Sequence, residues 1–260
     1  MPEMITGART YIDAPPVTPL GGGVLSVARV IPTTGHALMG AQFLSEACGE
    51  ELEEWDEWCA NNPVARKLFD SSYEVVEGDP FLVYAGTDCF WNTLDEAKTR
   101  ASNKLTLNEG RNVDTHVLAL AEATAVDIGG PFGVNEAIGA AEAYAATVYG
   151  GRPTLLIPRR FVPCGCLSGL LKSNLDGSLT TCSGSLVAPV TTPVVGIGAE
   201  ESATIYVTGQ ITLLQGPITS FSVSQQPHGD GTFAPARALA ERIYVPLLEC
   251  LVAKVEATCS

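Results

Sequence analysis

The sequence predicts a mixed α+β fold, and three observations carry that expectation. Apolar residues recur at helical spacing near residues 94–121 and 136–149. Short β-rich runs cluster between residues 154 and 214 and again near the carboxy terminus. No internal repeat orders the chain, so helices and strands alternate without a fixed period.

Residues 1–35 carry neither period. Pro15, Pro16, Pro19 and the run Gly21-Gly22-Gly23 favour an extended path, an arm either disordered or laid across a partner. Residues 36–70 read as an acidic amphipathic helix region. Leu44, Cys48, Leu52, Trp55 and Cys59 share one face, and Glu46, Glu50, Glu53, Glu54 and Glu57 line the other. No Lys or Arg stands between Arg29 and Arg66. That stripe is either a solvated face or one that meets DNA or a basic neighbour.

Residues 71–92 read as an extended hairpin turning at Gly78-Asp79-Pro80, with Phe81 and Tyr84 on its second strand. Thr93-Leu94-Asp95-Glu96 is a capping box that opens a helix, either one long kinked helix through Gly110 or two consecutive ones. Asn135 is a candidate cap for an alanine-rich helix closed by Gly150-Gly151. Strands are expected at Thr154–Ile157, Ser185–Ala188, Ala203–Thr208, Gln210–Leu214 and Leu251–Glu256.

The bulk numbers narrow the function. The chain has 260 residues, 46% hydrophobic and 17% charged, with 26 Gly and 17 Pro. So low a charged fraction favours apolar surface buried between subunits over a monomer. The net charge of −14 argues against a nucleic-acid-gripping surface. No run of 18 apolar residues and no leader-like amino terminus occur, which predicts neither membrane nor export. The eight cysteines are then expected as reduced, mostly buried thiols.

Catalytic and cofactor patterns are sparse. His36, His116 and His228 are far apart, and Cys164-Gly-Cys166 with Cys182 is a weak metal signal. There is no G-x-S-x-G elbow and no phosphate cradle, and Gly196-Ile197-Gly198 reads as a turn. No catalytic residue, cofactor or metal is expected.

The order of elements is similar to the tailed-bacteriophage major capsid protein, the Hong Kong 97-type shell fold also found in encapsulins. Ala137–Tyr149 followed by Pro153–Pro158 resembles the helix and strand of that family's axial domain. Tyr206–Ile211 resembles its later strands, and Glu241–Tyr244 with Cys250–Val255 its closing segment. The resemblance implies an arm over 1–35 that wraps a neighbour, an extended loop over 71–92, and a peripheral domain with a spine helix over 93–130 and 236–260. It places an axial domain at 131–235.

The implied function is self-assembly into the icosahedral head shell of a tailed phage, as pentamers and hexamers around double-stranded DNA. The DNA is a partner by proximity only. Scaffolding is implied either as a separate chain or as unnecessary, portal and decoration proteins are implied as separate chains, and assembly is implied in the host bacterial cytoplasm. Expected assembly-interface residues are Gly78, Asp79, Pro80, Phe81, Tyr84, Arg159, Arg160, Glu50, Glu53 and Glu54. The amino terminus shows none of the charged helical scaffolding segment that some relatives carry. Ser71–Trp91 contains no Lys, so the Lys–Asn cross-link of some relatives is not expected there. The alternatives are an encapsulin-like or minor shell protein and, from a different class, a cytosolic α+β enzyme or ligand-binding module.

Overall fold

A computed structural model describes residues 17–45, 74–89, 93–175, 177–191, 202–223 and 236–258. Its architecture is two sheets, each carrying a helix on one face, and a separate two-stranded ribbon.

The first sheet contains β1 (Arg29–Pro32), β4 (Phe81–Cys89), β12 (Ile211–Gln215), β13 (Thr219–Val223) and β14 (Ala236–Leu248). The 13-residue β14 is its backbone. One edge of β14 pairs antiparallel with β4, and the other pairs first with β13 and then with β12. β1 adds in parallel beside β12. The ribbon is β2 (Ala41–Ser45) against β3 (Glu74–Gly78).

The second sheet contains β5 (Val126–Asp127), β6 (Phe132–Gly133), β7 (Thr154–Pro158), β8 (Leu171–Ser173), β9 (Leu179–Thr181), β10 (Leu186–Val190), β11 (Ser202–Thr208) and β15 (Val252–Thr258). β7 lies between β10 and β11, buried at every residue, which is why Thr154–Pro158 reads as an unbroken apolar run instead of an alternation.

α1 (Leu94–Thr124) covers the first sheet and α2 (Val134–Val148) the second. α1 is one helix of 31 residues, with Gly110 inside it. Thr93 caps it as expected: the Glu96 amide donates to Thr93 Oγ1 at 3.3 Å, and the Thr93 amide donates to Glu96 Oε2 at 3.0 Å. Gly133, not Asn135, occupies the cap position of α2, and Asn135 Oδ1 instead accepts the Ser168 hydroxyl at 2.8 Å. A short helix, α3 (Val162–Leu167), follows β7.

Several expectations are corrected here. The helix expected from Leu44 does not begin there, because Leu44 and Ser45 are strand residues paired with Val75 and Glu74. The rest of that helix, including Glu50, Glu53 and Glu54, lies outside the described residues. The 71–92 hairpin is also not formed: β3 pairs with β2, and β4 pairs along nine positions with β14.

The stretch expected as an arm, 1–35, contains described residues that join the core. Val24 is fully buried, and β1 is a member of the first sheet. Strands from 131–235 and from 236–260 pair with one another. β12 and β13 join the first sheet, whereas β15 pairs with β11 in the second. Cys164 and Cys250 each take part in a disulfide, against the expectation of thiols, while Cys166 and Cys182 are free and exposed.

Candidate assembly surface

Apolar faces left open after a chain's own core is built are candidate interaction surfaces. The first sheet has such a face. Strand alternation turns Val83, Ala85, Ala238 and Ala240 toward α1, where all are buried. The alternate residues point away from α1. Leu82 stands opposite Ile243, Tyr84 opposite Glu241, and Leu239 stands between Gly86 and Phe221. Tyr84 is 66% exposed and Leu82 48%, with Phe221 close behind. These side chains form an apolar stripe across three strands that no described helix covers.

The ribbon is a second such place. Val76 packs with Leu214, Val245 and Leu247, with Phe43 against the same cluster. Their neighbours Leu44 and Val75, directly opposite each other, face outward and are about half exposed. On the second sheet, Leu167 at the end of α3 and Leu175 in the β8–β9 turn are almost wholly exposed.

The residues singled out in the sequence divide sharply. Asp79 and Pro80 are exposed at the corner between β3 and β4, and Tyr84 lies on the open stripe. Gly78 is buried, since a Cβ there would fall 2.3 Å from the Pro246 carbonyl oxygen. Phe81 is turned inward, with its ring stacked on His116 at 3.9 Å and on Tyr244 at 5.6 Å. Burial pushes the His116 imidazole below its ordinary value, which suits a ring held under an aromatic stack. Arg159 and Arg160 donate to the chain's own backbone, at Gly21 and Ser202.

What the sequence did not signal is a set of carboxylates that fasten these faces in place. Glu109, buried on α1, accepts Arg242 Nη1 at 2.9 and 3.0 Å and the Tyr244 hydroxyl at 2.9 Å. Gln215 Nε2 donates to the same hydroxyl at 3.0 Å, so the site ties α1 to β14 and β12. Glu122 accepts the Tyr206 hydroxyl and Lys254 Nζ, joining α1 to the second sheet. The lysine and the phenol hold Glu122 below the usual carboxylate range, whereas burial and the nearby carboxylate push the Tyr206 phenol up.

Glu142 on α2 accepts the hydroxyls of Thr181, Ser183 and Ser185, locking the β9–β10 turn. Tyr149 donates to Glu249 and accepts the Gln210 amide at 2.9 Å. Burial first, and then the carboxylate, push its phenol up to about 12.

No group of three or more His, Cys, Asp or Glu able to hold a metal occurs among the described residues. An open cleft of about 650 Å³ runs beside β4 past Lys104, Phe221 and Leu239, and Asp88 in its lining is paired with Arg237 at 2.9 Å. The lining is mixed, with Asp88, Lys104 and Arg237 beside Phe221, Ala238 and Leu239.

No family model matches the chain, and no curated protein does. Solved structures do. The capsid of a native GTA particle superimposes with a TM-score of 0.57 at 11% identity, covering 98% of this chain and 96% of that one. A structure of Mycobacterium phage Bobi gives 0.52 at 16% identity, covering 97% and 96%. A virus-like particle from Pyrococcus furiosus gives 0.50 at 11% identity, with 92% of each chain covered. Over nearly its whole length, the chain has the α+β fold of the Hong Kong 97-type phage capsid subunits.

Proposed function

We propose that the chain is the structural subunit of an icosahedral phage head shell, assembling with copies of itself as pentamers and hexamers around double-stranded DNA. The observation that carries this reading is the end-to-end match to a capsid subunit, 98% of this chain against 96% of the other. The open stripe of Leu82, Tyr84, Phe221, Leu239 and Ile243 supports it, because such a face on a free subunit is a liability until another subunit covers it.

In this reading the α1 layer with the first sheet is the peripheral domain, and the α2 layer with the second sheet is the axial domain. Scaffolding, portal and decoration proteins are separate chains, and assembly takes place in the cytoplasm of a bacterial host. DNA is enclosed, not gripped, since the net charge of −14 repels phosphate.

Sedimentation and negative-stain imaging of the native protein test this. Shells tens of nanometres across that contain DNA are the expected result. Shells filled with a cargo protein would move the reading to an encapsulin-like compartment. A species of a few chains that stays unassembled beside its genomic neighbours would overturn it. Mass spectrometry of denatured shells is expected to return single chains, not a covalent ladder, because no Lys lies between Ser71 and Trp91.

A further inference from the structure

The amino-terminal segment is fastened through its backbone by two side chains from different layers. Asp114, on α1 and only 2% exposed, has each oxygen committed to a different stretch of chain. Its Oδ1 accepts the Val24 amide at 2.8 Å, and its Oδ2 accepts the Thr191 amide at 3.0 Å. From the turn after β7, Arg159 Nη2 donates to the Gly21 carbonyl at 2.8 Å.

Between them the chain has room for backbone only. Gly22 and Gly23 hold φ of +86° and +77°, where a side chain is strained. A Cβ at Gly23 would lie 2.6 Å from Asp114 Oδ1, and one at Gly22 would lie 3.0 Å from Pro189 Cγ. Gly22 and Gly23 are therefore the thread of a clasp. Thr191, on the other oxygen, is the residue immediately after β10.

We infer that Asp114 and Arg159 form a latch that makes the seating of Gly21–Val24 and the seating of Thr191 a single event. The physical reason is the cost of a half-satisfied buried carboxylate. With both amides and the guanidinium in place its charge is tolerated. With one amide withdrawn, an unpaired anionic oxygen stays out of water, which weakens the hold on the other. Burial already pushes the Asp114 carboxyl above its ordinary value, against the pull of the two amides and Arg159. Movement of α1 against β10 thus releases Gly21–Val24 and Thr191 together. The latch belongs to the single chain and does not depend on the shell reading.

Amide hydrogen exchange on the full chain, resolved at Val24 and Thr191, tests the coupling. Asp114→Asn is expected to speed both amides about tenfold or more, while Leu213 and Leu214 in β12 keep their protection. Arg159→Gln touches neither amide, yet it is expected to speed both several-fold through the carboxylate. Because it leaves Asp114 intact, it decides the matter even if Asp114→Asn prevents folding. Acceleration of one amide without the other, in either variant, overturns the latch, and so does no acceleration in Arg159→Gln.

Discussion

A hydrogen in place of a methyl group at residue 78 lets the β3–β4 corner close onto β14. Gly78→Ala would put a carbon 2.3 Å from the Pro246 oxygen and 2.9 Å from Leu247, and the backbone oxygen cannot swing aside. The variant should lose about 1–3 kcal/mol of stability, read as a lower denaturant midpoint.

Tyr149 offers a pH-dependent test. Its folded phenol sits near 12, above the ordinary 10. The stability it contributes is therefore complete below pH 10 and disappears as pH rises through about 12. Melting temperatures of wild type and Tyr149→Phe should differ most below pH 10 and converge across that window. A gap that stays constant to pH 12 would count against the assignment.

What could be read in advance at this scale was local. The Thr93–Glu96 capping box spans three residues and stands as expected. The intrachain partners of Phe81 and Arg159 could not be read locally, because they lie far along the chain: Arg159 meets Gly21 across 138 positions.

Among the elements, α1 shows how one helix can serve two layers. Its buried residues Ala97, Ala101, Leu105, Glu109, Val113, Val117 and Ala121 recur every four positions. At 3.6 residues per turn, that spacing carries the buried stripe about 40° around the helix at each step. The amino-terminal half consequently faces β4, where Lys104 reaches the Gly86 carbonyl, and the carboxy-terminal end faces β11 and β15 through Glu122.

Glu109 sits in the middle of the stripe, where a periodicity reading looks for an apolar residue. Its partners on β14 are invisible in a local window. Glu109→Ala leaves Arg242 without its carboxylate and should cost about 3–5 kcal/mol by chemical denaturation. Replacing Glu109 and Arg242 together by Met should recover most of that loss, since the pair would then be exchanged for packed apolar volume. The hairpin expected at 71–92 failed at the same scale. Gly78-Asp79-Pro80 does mark a corner, but β4 gains nine paired positions on β14.

For the whole molecule, class and element order were legible because they rest on composition and period. The crossing of β12, β13 and β15 between sheets was not, since strand partnership is set by tertiary packing. The open stripe gives the prediction that belongs here. Tyr84→Lys, opposite Glu241 on β14, alters an exposed position, so the isolated chain should keep its melting behaviour to within about 0.5 kcal/mol. Shell yield in sedimentation should fall sharply. Equal yields would remove this face from the assembly surface.

The straddling helix has a mechanical corollary. At 1.5 Å per residue its 31 residues make a rod about 46 Å long, bolted by Glu109 at one layer and Glu122 at the other. Force applied by a neighbour to the first sheet reaches the second through a stiff member instead of a slack loop. Under the proposed shell reading, a wall tiled with such struts would share strain between adjoining tiles.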